Sequence, residues 1–126
     1  MTRPAATRPL DGIRVLDLTQ IVAGPMSSFY LASLGAEVIR VERPGGDLTW
    51  KVPPFFGPRG RHTEERQQDE LSLSAMKRNR GKRSVVVSLA EPDGVEIVSS
   101  LADQCDVLIE NFLPGVAARL MAWAIS

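Results

Sequence analysis

The fold is decided by residues 13–42, in which two apolar stretches, 13–18 (IRVLDL) and 37–42 (EVIRVE), flank a segment of different periodicity. Both stretches are short and rich in branched residues, which is typical of largely buried strands. Between Pro25 and Gly35 the apolar residues recur at helical spacing, and a proline in the first turn with a glycine just past the end favours one helix. A strand, a helix and a second strand in this order predict a parallel pair joined by a crossover.

The same pattern returns in the second half of the chain. Residues 84–89 (SVVVSL) and 106–110 (DVLIE) predict two strands, residues 92–103 predict a helix between them, and a last helix is predicted to begin at Pro114. Residues 43–83 carry proline, glycine and charge around one apolar island, and we predict a long loop there. The order of elements predicts an α/β fold with an open, mostly parallel sheet and helices on both faces.

Length and composition limit the function classes. A chain of 126 residues with 44% apolar residues suits one globular domain, and fifteen Lys and Arg balance fifteen Asp and Glu. The overall charge therefore does not favour nucleic acid or an anionic membrane as a partner. One cysteine and one histidine are too few for the common zinc sites, so we expect no metal. The start lacks the apolar stretch of a signal peptide, and no run approaches about 18 apolar residues, which predicts a cytoplasmic protein.

Three loops are predicted to lie at one edge of the sheet, at residues 19–24, 42–47 and 111–115. Ligands of open α/β sheets bind at this edge, outside the carboxyl ends of the strands. The first loop lacks the paired glycines that bring a backbone close to a pyrophosphate, so a nicotinamide cofactor is not expected. Glu42 nevertheless stands where dinucleotide-binding folds carry an acidic residue that holds a ribose.

The densest charge is residues 77–83 (KRNRGKR), which hold five cations in seven residues. A solvated surface loop, a nucleic-acid patch and a compact phosphate site are all consistent with such a run. No aromatic residues interleave with the cations to stack bases, which favours phosphate over nucleic acid. Arg43 and Lys51 could add charge to a phosphate site.

Several single residues have structural interpretations. Asp17, within the first predicted strand, is expected to serve as a hydrogen-bonding residue, and His62 as a surface histidine. Cys105, beside an apolar strand, is expected to be a packed and inert thiol. Trp50, Phe55 and Phe56 either pack the long loop down or form an apolar wall for a ligand, and the sequence leaves both alternatives open.

Four ordered stretches resemble the amino-terminal part of the family III CoA transferases, which include formyl-CoA and carnitine-CoA transferases and α-methylacyl-CoA racemase. The stretches are residues 9–19 with 23–25, residues 34–44 with 46–47, residues 79–84 and residues 106–115. The similarity runs from Pro9 to about Leu120. The chain departs from the family at Ala90, where many relatives carry a lysine.

The resemblance implies a Rossmann-like domain that binds coenzyme A along the predicted edge. CoA offers phosphates to arginine and a pantetheine arm to a narrow apolar slot. The implied CoA-binding residues are Ile21, Val22 and Ala23 in the groove, Arg43 at the nucleotide end, and Val87, Asn111, Phe112 and Arg119 around the rest of the site.

The implied activity is transfer of CoA between an acyl-CoA and a carboxylic acid. In the family a carboxylate attacks the thioester, and the resulting mixed anhydride is converted by the CoA thiolate into an enzyme-bound thioester that the acceptor acid resolves. An acyl-CoA racemase, which needs a general acid/base pair, is the alternative within the family. A non-catalytic CoA-binding or interaction module is an alternative of another class, and a nucleic-acid binder acting through residues 77–83 is a third.

Family members are several times longer, and their catalytic residues lie beyond the similar region. We therefore assign no catalytic residue and expect a truncated chain, inactive alone, with a flexible extension at residues 1–9 and a CoA-binding domain at residues 10–126. Full-length relatives form interlaced homodimers. A chain without the covering segments is expected to self-associate.

Overall fold

The structure, a computed structural model, describes residues 7–120. Within this range the chain forms two β-sheets, four α-helices and one short 3-10 helix at Leu48–Lys51. The remaining elements in chain order are β1 (Arg14–Asp17), α1 (Ala23–Ser33), β2 (Glu37–Glu42), β3 (Phe55–Gly57), β4 (Gly60–His62), β5 (Leu71–Ser72), α2 (Leu73–Asn79), β6 (Arg83–Val86), α3 (Pro92–Ala102), β7 (Val107–Ile109) and α4 (Val116–Leu120).

The main sheet has four strands in the order β6-β2-β1-β7, and all neighbours are parallel. In register, Val15 of β1 faces Val38 of β2 on one side and Val107 of β7 on the other. Counted along the chain, this order is third, second, first, fourth, as in half of a Rossmann fold. The predicted α/β class and parallel sheet are confirmed, and the strand order reverses between β1 and β7.

Helices cover both faces of the main sheet, as predicted, because successive side chains of a strand point to opposite faces. On one face Val15 and Val38 pack against Ala32 of α1. On the other face Leu16 and Val41 pack against Val98 of α3. The sheet is therefore the middle layer of the domain and leaves its carboxyl edge for the loops.

The segment predicted as one long loop, residues 43–83, contains regular structure. The strands β3, β4 and β5 form an antiparallel sheet in the order β4-β3-β5, and α2 follows directly. Phe55 is 3% exposed and Ser72 is fully buried, and the Ser72 side chain caps α2 by accepting from the Ala75 amide. The aromatic alternatives therefore separate: Phe55 packs this segment down, while Phe56 is exposed.

The two ends of the chain, residues 1–6 and 121–126, lie outside the described residues, and most of the predicted flexible extension falls there. Between residues 7 and 120 no helix combines the length and the apolar character needed to cross a bilayer.

Candidate functional site

Two loops meet at the carboxyl edge of the main sheet, where the strand order reverses between β1 and β7. The side chain of Asn111 joins them: its Oδ1 accepts from the Gln20 amide at 2.8 Å, and its Nδ2 donates to the Gln20 carbonyl at 3.0 Å. Reversal points of this kind leave a crevice between diverging loops, where open α/β sheets bind their ligands. Asn111 thus links the two loops at this point of the edge.

A cavity of about 290 Å³ lies in this crevice. Most of its wall is apolar, and Gln20 and Asn111 are its polar residues. Leu113 is 78% exposed and Ile21 is 51% exposed, so the rim offers apolar surface to a ligand. The lining residues are Gln20, Ile21, Asn111, Phe112, Leu113 and Val116.

A second, smaller cavity of about 20 Å³ adjoins the first through Gln20, which lines both. Arg43 lines it too, and that exposed side chain donates from Nε to the Gly46 carbonyl at 3.0 Å. Arg40 is 2% exposed, and its Nε and Nη1 have no hydrogen-bond partner among the described residues. Each of these two atoms lies 3.7 Å from a carboxylate oxygen, Nε from Glu42 and Nη1 from Asp17.

Below the edge, Asp17 is fully buried and acts as the hydrogen-bonding residue that the sequence predicts. Its carboxylate accepts from Thr19, Ser28 and Lys82, with Lys82 Nζ at 3.0 Å. Burial by itself raises the pKa of Asp17, but the hydrogen bonds from Ser28 and Thr19 and the charge of Lys82 outweigh it, so that pKa is lowered. Burial lowers the pKa of Lys82 despite the attraction of Asp17.

Three cations of the basic run at residues 77–83 have separate structural partners, so the run does not present all five cations to one phosphate. Lys82 is buried against Asp17, and the guanidinium of Arg80 lies 5.3 Å from the ring centre of Phe29. Arg83 Nη1 lies 2.8 Å from a carboxylate oxygen of Glu37. Lys82 is buried because the carboxylate of Asp17 needs a cation beside it. The next residue, Arg83, begins β6 and lies beside Glu37 of the neighbouring strand β2.

His62 is not the surface histidine that the sequence predicts. Its Nε2 lies 2.8 Å from the carboxylate of Glu70, a fully buried residue that also accepts from Arg59. Short antiparallel strands place these residues together, and no spacing in the sequence reveals it. Cys105 does pack against the main core, and burial raises the pKa of its thiol.

The structure brings three of the predicted CoA-binding residues, Ile21, Asn111 and Phe112, to the wall of the larger cavity. Val22 and Ala23 follow Ile21 at the start of α1, and both are exposed.

The other predicted residues lie around this cavity rather than in its wall. Arg43 lines the smaller cavity. Val87 donates its amide to the Glu42 carbonyl at 2.9 Å, so it lies at the same edge, but its side chain packs against the Leu16 cluster. Arg119 is exposed on α4, three residues after Val116 and hence on the same helix face.

Two residues of the edge are missing from the predicted set. Gln20 takes part through its backbone, which no side-chain pattern announces. Asp47 is 7% exposed and binds the Ile21 amide at 3.2 Å. An aspartate two residues before Thr49 is a helix-capping signal, and it does cap the 3-10 helix, but its second role depends on the tertiary fold.

Known proteins match nearly the whole described range. Residues 10–122 match the family model described as CoA-transferase family III. The succinyl-CoA:glutarate CoA-transferase of Homo sapiens is 45% identical over 111 residues, which are 86% of this chain and 22% of that protein. The formyl-CoA:oxalate CoA-transferase of Rhodopseudomonas palustris (strain TIE-1) is 42% identical over 115 residues, which are 90% of this chain and 24% of that protein.

Solved structures are similar too. A CAIB/BAIF family protein from Brucella suis superposes with a TM-score of 0.77 at 36% identity, over 91% of this chain and 29% of that one. The chain spans about a quarter of the length of the curated relatives it matches.

Proposed function

Because the chain belongs to CoA-transferase family III, we propose that it binds coenzyme A at the carboxyl edge of its main sheet. In the whole protein this edge would serve the transfer of CoA between an acyl-CoA and a carboxylic acid. The relatives named above each pair an acyl-CoA with a carboxylate in their names, which favours transfer over racemisation.

The observation that carries the proposal is the cavity of about 290 Å³ where the strand order reverses. Ile21, Asn111 and Phe112, which the resemblance assigns to CoA binding, line it together. The position alone favours a ligand site, and the apolar wall with few polar groups suits a pantetheine arm.

The charges at the edge fit a nucleotide end on the side of Arg43. This arginine is exposed, and only its Nε is engaged within the described residues, so the two terminal nitrogens remain for phosphate oxygens. Val22 and Ala23 extend the apolar rim beyond Ile21, and Arg119 is a second cation for the ligand's phosphates. Val87 contributes by packing beneath the edge.

The carboxylates near the edge are committed to structure, which argues against a nucleophile among them. Asp17 and Asp47 are buried and each accepts several hydrogen bonds. Glu42 accepts from Trp50 Nε1 at 3.3 Å, and Glu110 accepts from the Phe112 amide at 2.6 Å. We therefore infer that attack on the thioester depends on a carboxylate from another part of the whole protein.

Calorimetric titration of CoA into the chain tests the proposal. We expect saturable binding, and we expect Arg43→Ala to weaken it roughly ten- to a hundredfold, since a charged contact of this kind is worth about 1.5 to 3 kcal/mol. Arg61→Ala, at an exposed arginine of β4, is the matched control and should leave the affinity unchanged. No binding by the parent chain, or equal loss in both variants, would refute the assignment.

A further inference from the structure

We propose that Asp47 is a positioning residue for this edge: its carboxylate holds the backbone of Ile21 in a left-handed conformation. It thereby sets the shape of the turn formed by Gln20, Ile21 and Val22, which we call the edge turn. This role rests on the proposed function, because the shape of the edge turn matters for binding only if the adjoining cavity takes CoA.

The backbone of Ile21 is unusual. Its φ is +70°, and within residues 7–120 every other residue with a positive φ is a glycine. A side chain branched at Cβ rarely adopts this conformation, because it brings Cβ against the backbone. Such a conformation persists only where the surroundings enforce it.

The side chain of Ile21 does not supply that enforcement, since it is 51% exposed. Hydrogen bonds to the backbone do. Asn111 holds the preceding residue, Gln20, by binding both its amide and its carbonyl. Asp47 Oδ2 then accepts from the Ile21 amide at 3.2 Å, so consecutive residues of the edge turn are held from two different loops.

Asp47 is itself firmly held. Its Oδ1 accepts from the amide of Thr49 at 2.7 Å and from the Thr49 hydroxyl at 2.9 Å, while Arg40 Nη2 donates to Oδ2 at 2.8 Å. Burial raises the pKa of Asp47, but the hydrogen bonds from Thr49 and Ile21 and the charge of Arg40 bring that pKa below its usual value. The carboxylate therefore stays ionised at neutral pH, and its bonds to Thr49 and Arg40 favour the orientation that faces Ile21.

The wall of the larger cavity includes Ile21 but not Asp47, which lines the smaller cavity together with Arg43. At the larger cavity Asp47 therefore acts on a ligand through the edge turn. Asp47 also ends the loop that begins at Glu42 and carries Arg43, the proposed phosphate partner. The Asp47 carboxylate therefore connects Ile21, in the apolar wall, to the loop that carries Arg43.

Amide hydrogen exchange measured by NMR tests the hydrogen bond from the Ile21 amide to Asp47 without any ligand. We expect the Ile21 amide to be protected in the parent chain and to exchange about tenfold faster or more in Asp47→Ala and Asp47→Asn, because its acceptor is removed or loses its charge. Thr49→Val is the matched control. It removes one hydrogen bond to Asp47 and leaves the bond to Ile21, so the Ile21 exchange rate should not change.

CoA titration of a double-mutant cycle tests the consequence for binding. We expect Asp47→Asn to weaken CoA binding about tenfold, and to do so about threefold or less when Ile21 is already replaced by glycine, which adopts a positive φ freely. A purely structural role for Asp47 would give the same loss in both backgrounds.

The two measurements separate the two ideas. Unchanged Ile21 exchange in a folded Asp47→Asn chain, or an equal increase in Thr49→Val, would overturn the positioning role whatever the affinity for CoA. A parent chain with a protected Ile21 amide but no CoA binding would support the positioning role of Asp47 and overturn the proposed function. If Asp47→Ala does not fold, the asparagine variant, which keeps the side chain's size, decides the outcome.

Discussion

Lys82 supplies the charge that the buried carboxylate of Asp17 requires. The ammonium also binds the Pro25 carbonyl at 2.9 Å and Ser28 Oγ at 2.7 Å, so all three of its donors are used. A buried ion pair can add little stability compared with apolar residues that replace both partners. Removing only one partner is costly, because the other charge is then buried and unpaired.

Replacing Lys82 with methionine should therefore lower the free energy of unfolding by about 3 to 5 kcal/mol. Urea denaturation at neutral pH measures this. Lys77→Met makes the same chemical change at an exposed position of α2 and should cost less than about 0.5 kcal/mol. Equal stability of the two variants would show that Asp17 does not depend on Lys82.

Glu70 makes the stability of the small antiparallel sheet depend on pH. The hydrogen bond from Arg59, with further ones from the Gln67 amide and His62, lowers the pKa of Glu70 from 4.5 to about 2. A carboxyl whose pKa is lower in the folded state stabilises the fold fully above its unfolded pKa. That contribution is lost as the pH falls from about 4.5 towards about 2.

We expect Glu70→Gln to be less stable than the parent chain at pH 7, and the difference to shrink as the pH falls below about 4.5. Thermal unfolding of both chains between pH 7 and pH 3 measures the difference. A gap that stays constant over this range would mean that ionisation of Glu70 contributes nothing.

At this scale the sequence predicted what Asp17 does but not which residue pairs with it, because Lys82 lies 65 positions away. The same limit explains the wrong prediction for His62. Its partner Glu70 is close in sequence, but the two meet through β3, which pairs with the strands on either side.

Helices and strands could be predicted where the hydrophobic periodicity agrees with the glycine and proline residues at their ends. β2 has the predicted bounds, and α1 ends just before Gly35, the predicted stop. The small sheet was missed because β3 and β4 have three residues each and β5 has two, too few for a period to show. Its one sequence signal, the apolar island around Phe55, indicates burial but not pairing.

Helix α3 can pack where it does because residue 94 is a glycine. A Cβ placed there would lie 1.9 Å from the carbonyl oxygen of Ser88. Alanine favours a helix over glycine by about 1 kcal/mol, but overpacking against a backbone atom costs about 1 to 3 kcal/mol or more, so the clash should decide the sign.

We expect Gly94→Ala to destabilise the chain by on the order of 2 kcal/mol, with a lower melting temperature by calorimetry. Ser100→Ala, at an exposed position of the same helix, is the control and should leave the melting temperature nearly unchanged. A melting temperature that rises in Gly94→Ala would mean that α3 is free to shift from the sheet.

Large apolar side chains are exposed on several faces of the described part of the chain. Val86 on the edge strand β6 is 63% exposed, Phe56 on the small sheet 53% and Ile97 on α3 50%. Apolar residues exposed on several faces favour association with another surface. The chain corresponds to about a quarter of its curated relatives, so in those proteins more structure is present to contact these faces.

Sedimentation velocity over a series of protein concentrations tests the expectation of self-association. The average sedimentation coefficient should rise with concentration, because contacts between exposed apolar faces form by mass action. A single monomeric species at every concentration would contradict it.

Coenzyme A is proposed to bind at the carboxyl edge, where the strand order reverses between β1 and β7. Titration of CoA into the isotopically labelled chain, followed through backbone amide chemical shifts, tests it most directly. We expect saturable shifts concentrated at Gln20, Ile21, Asn111 and Phe112, with little change at Phe56 and Arg61 of the small sheet. Shifts that do not saturate, or that centre on the small sheet, would contradict the assignment of this edge.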